Sequence, residues 1–110
     1  MIQEHIEQIE EKVQKTAGLS SETKSELLNL LTELKVEVSN LSKTHQEDAR
    51  SVAHFVAASA HEATRMERKP AQAGAALRGL TASVEGLEGS HPELTALVNR
   101  IAVTLSNMGI

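Results

Sequence analysis

The chain has 110 residues, a net charge of −4 and a hydrophobic content of 40%, which together indicate one domain spanning residues 1–110. Aromatic residues make up 1% of the sequence, with Phe55 the single example, so the core must be aliphatic and an aromatic-lined enzyme pocket is disfavoured. The absence of cysteine excludes disulfides and thiolate metal sites, and the acidic balance argues against nucleic-acid binding. The acidic N-terminus is unlike a signal peptide, and no apolar run approaches the roughly 20 residues that span a bilayer, so we expect a cytoplasmic protein without a membrane span.

Apolar residues spaced alternately three and four apart recur in four segments. They predict an all-α fold, a helical hairpin with one long central helix and a C-terminal helical bundle, with coiled-coil-like packing. The first helix is predicted over about residues 2–17. Gly18 suits the left-handed position that ends a helix, and Ser20 or Ser21 can cap the second helix. Because this turn is short, the first two helices should form an antiparallel hairpin.

The second helix is predicted over about residues 21–68, because neither proline nor glycine interrupts the sequence before Pro70. A break around Ser42 to Asp48 is the alternative, since that segment is locally indifferent to helix. One helix of about 47 residues would measure roughly 70 Å. Its first half is rich in leucine, whereas its second half is rich in alanine and serine, which permits closer helix approach.

Two shorter helices are predicted near the C-terminus, over about residues 71–88 and 91–107. Glycines weaken the first of them by about 1 kcal/mol each relative to alanine, so packing must stabilise it. Ser90 and Glu93 have the spacing of a capping box, in which each side chain accepts a backbone N–H of the other residue. Pro92 suits the first turn of the last helix, where its missing N–H does no harm.

The helix lengths predict self-association. Each shorter helix is roughly 25 Å long, so together they leave the middle of the long helix uncovered. A long unpaired apolar stripe marks an association surface, and the simplest solution is a two-fold homodimer that pairs two copies of the second helix. The predicted oligomer core consists of Leu27, Leu31, Leu34, Val38 and Leu41.

Few residues suggest chemistry, so no catalytic residue and no cofactor are predicted, and we expect the protein not to be an enzyme. His54 and His61 are seven positions apart, whereas metal ligands on one helix usually stand three or four apart. No metal ligand is therefore assigned within one chain. A site assembled across a dimer axis from both copies of either histidine remains open.

The polar segment His61-Glu62-Ala63-Thr64-Arg65, which follows Phe55 in the long helix, suggests a possible binding role for that helix. It predicts either a solvated surface, in which Glu62 and Arg65 pair at i,i+3 while Phe55 fills the core, or a recognition patch for a partner helix with Phe55 as its anchor. The candidate interaction face comprises His54, Phe55, Ala58, His61, Glu62 and Arg65.

The C-terminal residues combine a Ser-His-Pro turn with an Asn-Met-Gly-Ile ending. The pattern consists of Ser90-His91-Pro92-Glu93-Leu94, then Asn99-Arg100-Ile101, then Leu105-Ser106-Asn107-Met108-Gly109-Ile110, where Gly109 offers a helix cap. It resembles a bacterial family of small helical proteins of unknown function, most closely over about residues 80–110 and more loosely over the Leu-rich part of the second helix. The resemblance implies a bacterial cytoplasmic setting and no established activity, ligand or catalytic residue.

Three functions are therefore open. The first is a non-enzymatic oligomerisation or adaptor protein that presents the second helix to a helical protein partner. The second is an amphipathic coat on lipid or polymer granules, although interfacial helices usually have basic flanks and aromatic wedges that this chain lacks. The third is a helical-bundle metal-binding protein that uses His54, His61 and Glu62.

Overall fold

A computed structural model describes residues 2–108, with side chains from Gln3 onwards. Within this range the chain forms five α-helices: α1 (Ile2–Lys15), α2 (Ser21–Ser42), α3 (Gln46–Ala63), α4 (Pro70–Ala82) and α5 (Pro92–Asn107). A short 3-10 turn, Glu85–Leu87, lies between α4 and α5. No described residue belongs to a strand, so the predicted all-α fold is confirmed. None of these described helices has the length and apolarity that crossing a membrane requires.

The turn between α1 and α2 uses the two residues that the sequence singles out. Gly18 has a φ of +88°, a left-handed conformation that residues with a Cβ rarely adopt. Ser20 is the N-cap of α2, and its hydroxyl accepts the backbone N–H of Thr23 at 3.1 Å. Helix α1 ends at Lys15, slightly before its predicted end. Local signals therefore place this turn correctly.

Helices α1 and α2 are antiparallel, as predicted. Lys24, near the start of α2, donates to the carbonyl oxygen of Gln14, near the end of α1, at 3.1 Å. Lys35, further along α2, pairs with Glu10, nearer the start of α1, at 2.9 Å. The hydrogen bond that Lys35 donates to Glu10 raises the pKa of the Lys35 ammonium above its ordinary value. Residues later in α2 therefore contact residues earlier in α1, as an antiparallel pair requires.

The prediction of one long helix over residues 21–68 is wrong, because the chain turns back after Ser42. The backbone N–H of His45 donates to the carbonyl oxygen of Leu41 at 2.7 Å and closes the end of α2, and α3 then begins at Gln46. The intervening residues are polar and only weak helix formers, so continuing the helix through them gains little. Tertiary packing of two amphipathic helices gains more. The described chain is 38 Å in its longest dimension, which leaves no room for a straight helix of roughly 70 Å.

The fold-back puts α3 at the centre of the bundle, in contact with all four other helices. Val52 and Val56 of α3 are fully buried, as is Leu34 of α2. The Cα radius of gyration is 12.9 Å, close to the value of about 13 Å expected for a compact chain of this length. One aliphatic core therefore extends through the whole bundle.

The predicted oligomer core lies inside this single chain. Its residues are at most 1% exposed, and they are Leu27, Leu31, Leu34, Val38 and Leu41. Helices α1, α3 and α5 all contact α2, so the leucine face is covered by the chain's own helices. The premise of the dimer prediction, an uncovered apolar stripe, is therefore wrong, and the dimer itself stays a prediction without that support.

The junction between α4 and α5 differs from the prediction. Helix α4 ends at Ala82 rather than near residue 88, and a 3-10 turn takes up part of the remainder. Pro92 occupies the first turn of α5, as predicted. The predicted capping box is wrong, because His91 rather than Ser90 is the N-cap and no side chain caps the helix. The hydroxyl of Ser90 lies instead 2.9 Å from Nδ1 of His91.

The predicted cap at Gly109 lies outside the described residues. Just before it, the carbonyl oxygen of Met108 accepts a hydrogen bond from Nη1 of Arg68 at 2.6 Å. This bond attaches the end of α5 to the segment between α3 and α4. A cationic donor at a helix C-terminus is also favoured by the helix dipole.

Ser59 in α3 is fully buried, and its hydroxyl has no hydrogen-bond partner among the described residues. Ser59→Ala should raise the free energy of unfolding by about 1 kcal/mol, because it removes an unsatisfied buried polar group and introduces a better helix former. Thermal unfolding followed by far-UV circular dichroism measures the change. Ser51→Ala, an exposed site on the same helix, is the matched control and should gain only the smaller propensity effect. Equal or smaller stabilisation by Ser59→Ala would contradict the prediction.

Candidate functional site

The predicted interaction face lies on α3 and just beyond its end, and the structure divides it into two parts. His54, Ala58 and His61 follow one another at i, i+4 and i+7, so they share one side of the helix. His54 and His61 are exposed and Ala58 is half-buried. We call these three residues the histidine strip. Phe55 and Glu62 lie on an adjacent side of α3, which faces α4.

Phe55 is half-buried and packs against α4 at Gly79. Its ring also contacts His54 edge-on, with ring centroids 5.2 Å apart and an interplanar angle of 77°. The contact with Gly79 lies between two helices of the bundle, so Phe55 has a structural role between α3 and α4. Its use as an anchor for a partner stays a prediction.

Glu62 and Arg65 form the predicted ion pair. Nη1 of Arg65 donates to both carboxylate oxygens of Glu62, at 3.2 and 3.3 Å, and to Oε1 of Gln72 in α4 at 2.8 Å. Glu62 is only 9% exposed, so the guanidinium compensates for a carboxylate that has lost most of its water. This pair therefore joins the end of α3 to α4.

His61 is connected to α1. Nζ of Lys12 and Nδ1 of His61 are within hydrogen-bond distance at 2.8 Å, and the ammonium group is the donor. His54, at the other end of the histidine strip, makes no hydrogen bond with any described residue. The two histidines of the strip thus differ, because His61 is hydrogen-bonded to α1 whereas His54 has a ring contact with Phe55 and no described hydrogen-bond partner.

A groove of about 470 Å³ opens where the start of α1 meets the turn between α2 and α3. We call it the α1–α3 groove; its lining residues are Gln3, His5, Ser39, Ser42, Gln46, Arg50, Ala53 and His54. His54 belongs to both the groove and the histidine strip. Neither His5 nor Arg50 was predicted from the sequence as a site residue, although Arg50 and His54 have the i,i+4 spacing of one helix face. The groove exists only because the chain folds back after Ser42.

The remaining histidines do not assemble a metal centre in the part of the chain that the structure describes. His45 and His91, the N-caps of α3 and α5, meet edge to face with ring centroids 5.4 Å apart. No group of three or more His, Cys, Asp or Glu side chains between residues 3 and 108 has the proximity to hold a metal ion. The metal-binding alternative therefore has no supporting cluster.

Comparisons with known proteins identify a family. A family model described as a domain of unknown function, DUF4404, matches residues 29–110. No curated protein and no solved structure matches the chain. The matched range contains most of α2, the whole of α3 to α5, and Arg50 and His54 of the groove, whereas α1 lies outside it. The chain therefore belongs to the DUF4404 family, and this membership leaves its activity open.

Proposed function

We propose that the protein is a non-enzymatic helical adaptor that receives a partner helix on the histidine strip of α3. One observation carries the proposal: α3 contacts every other helix of the bundle, yet this strip stays accessible. On one side His61 is bonded to Lys12 of α1, and on the other Phe55 packs against Gly79 of α4. The histidine strip therefore lies in a shallow channel on α3, with α1 on one side and α4 on the other. We call this channel, which contains His54, Ala57, Ala58 and His61, the track.

The side chains of the track favour a helix as the partner. Ala57 and Ala58 are small and half-buried, so a second helix can approach α3 closely along this line. His54 and His61 stand at either end of the two alanines and offer polar contacts that fix the register of a docked helix. An amphipathic helix with small apolar residues at i, i+4 and i+7 has the complementary shape. A second copy of this chain is one candidate source of such a helix.

The alternative of a lipid or granule coat gains no support from the described residues. The apolar stripes of the helices face the core, and the large exposed apolar side chains are Val36, Met66 and Val103, on three different segments. An interfacial helix needs a continuous apolar face toward the lipid. None of the described helices offers one without opening the bundle.

Ala58→Arg tests the proposed docking, because it puts a long charged side chain in the middle of the track. Affinity capture from the native cell should retain a partner on the unchanged protein. The amount of partner captured by Ala58→Arg should be lower by about tenfold or more, because contacts at the centre of an interface contribute most of its binding energy. The captured partner is then purified, and its binding to both proteins is measured directly by isothermal titration calorimetry.

Ala96→Arg is the matched control, because Ala96 is an exposed alanine on α5, away from the track. Far-UV circular dichroism checks that both variants keep the helical fold. Equal direct binding of the partner to both arginine variants would contradict docking on the histidine strip, and so would the absence of any partner that binds the unchanged protein.

A further inference from the structure

We infer that the α1–α3 groove binds an anionic group rich in acceptor oxygens, the phosphate ester or carboxylate of a small metabolite. This site is separate from the proposed helix docking, because it lies at one end of α3 and includes residues of α1 and α2. Only His54 is common to both. The inference therefore stands whether or not the histidine strip binds a partner.

The charge of the lining residues is the first argument. Acidic residues outnumber lysine and arginine by 15 to 11 in the chain, yet no carboxylate is among the described residues that line this groove. Its ionisable side chains are Arg50, His5 and His54. Glu4, Glu47 and Asp48 lie on the same helices but outside the lining. The described lining of the groove thus offers hydrogen-bond donors without carboxylates, although the protein is acidic overall. Such a site attracts anions.

A second groove, along α2, provides a contrast. It is lined by Arg100 together with three carboxylates, Glu22, Glu26 and Glu33. An anion entering that groove would meet negative charge beside the arginine. Arginine alone therefore does not distinguish the α1–α3 groove, whereas the absence of carboxylates from its lining does.

The availability of the arginine is the second argument. Arg50 makes no hydrogen bond or ion pair with any residue between 3 and 108. Two of the chain's five arginines are engaged within the described residues, because Arg65 pairs with Glu62 and Arg68 donates to the carbonyl oxygen of Met108. The side chains of Arg78 and Arg100 also have no bonded partner among those residues, so the unpaired guanidinium of Arg50 matters through its place in a groove without described carboxylates. A free guanidinium presents five N–H donors in a planar fork that matches the oxygens of phosphate and carboxylate.

The groove also has the size and neighbours of a small-molecule site. Its volume of about 470 Å³ lies within the range of roughly 300–1,000 Å³ that is usual for ligand pockets. Gln46, the first residue of α3, also lines the groove, one helical turn before Arg50. The side-chain amides of Gln3 and Gln46 add neutral donors. A phosphate or carboxylate in the groove can therefore accept hydrogen bonds from Arg50, Gln3 and Gln46 on different sides.

The test is a titration of the full chain with inorganic phosphate, and in a second arm with acetate, at constant ionic strength set by sodium chloride. Two-dimensional NMR of the backbone amides should show saturable shifts at Gln3, Gln46 and Arg50. Arg50→Gln should weaken the binding by about tenfold or more, because a charge-assisted hydrogen bond is lost. Arg100→Gln, in the groove that contains carboxylates, is the matched control and should leave the affinity unchanged.

The two arms separate the sources of the anionic group. Saturation by phosphate alone assigns the groove to phosphate esters, and saturation by acetate as well extends it to carboxylates. Arg50 is exposed and has no described partner, so Arg50→Gln should keep the fold, which far-UV circular dichroism verifies. The inference is overturned if neither anion gives saturable shifts at the groove, or if Arg50→Gln binds as tightly as the unchanged protein.

Discussion

Replacing Leu34 with alanine is expected to lower the free energy of unfolding by about 3 kcal/mol. Leu34 is fully buried in the middle of α2, and truncating a buried leucine removes both its transfer free energy and the packing around the cavity that remains. Urea unfolding followed by far-UV circular dichroism gives the value. A loss of this size is a large part of the 5–15 kcal/mol that stabilises a typical small domain.

Protein concentration shows whether Leu34 belongs to the chain's own core or to an interface between two copies. If it belongs to the chain's own core, Leu34→Ala should lower the unfolding midpoint without changing how that midpoint depends on protein concentration. Light scattering should then give the same mass for both proteins, 11.9 kDa or a multiple of it. A variant that changes the mass of the assembly, or the concentration dependence of unfolding, would contradict the intrachain core.

Val36→Ala is the control for this prediction. Val36 lies on the same helix but is 58% exposed, so its truncation removes little buried surface. Alanine is also the better helix former, and the two effects together should keep the change within about 0.5 kcal/mol. A difference between the two variants therefore measures burial in α2 and not a general sensitivity of the helix.

The parts of the fold that sequence predicts well are those set by neighbouring residues. Gly18 and Ser20 define the first turn through backbone conformation and capping, and Pro92 marks the start of α5. The ion pair between Glu62 and Arg65 follows from their i,i+3 spacing. Each of these features depends on a few adjacent residues, so no knowledge of the tertiary structure is needed.

The break after Ser42 could not be settled in this way. No glycine or proline marks it, and the polar residues there permit either a helix or a turn. The turn is favoured because folding back lets Val52 and Val56 of α3 join Leu34 in one core, which is a contact between distant residues. The dimer premise failed for the same reason. The α1–α3 groove was missed because it exists only once the break brings α1, α2 and α3 together.

Gly79→Ala is expected to destabilise the protein by about 2 kcal/mol, against the usual trend for a glycine within a helix. At an open helical site this change gains up to about 1 kcal/mol. At Gly79, however, a Cβ would overlap the ring of Phe55, coming within 2.5 Å of Cδ1. The ring is held between α3 and α4, so either it or α4 must move, and overpacking of this kind usually costs about 1–3 kcal/mol. Thermal and urea unfolding measure the effect.

Gly74→Ala on the same helix is the matched control. Its Cβ would lie 3.2 Å from Nη1 of Arg78, the end of a flexible side chain that can move aside, so this variant should be stabilised. A double-mutant cycle then isolates the contact. Once Phe55→Ala has removed the ring, Gly79→Ala should become stabilising by up to about 1 kcal/mol, which gives a coupling energy of about 2–3 kcal/mol. Additive effects of the two substitutions would contradict the contact. A strong coupling would show that Phe55→Ala disturbs the packing of α3 on α4, so Ala58→Arg is the better test of partner recognition.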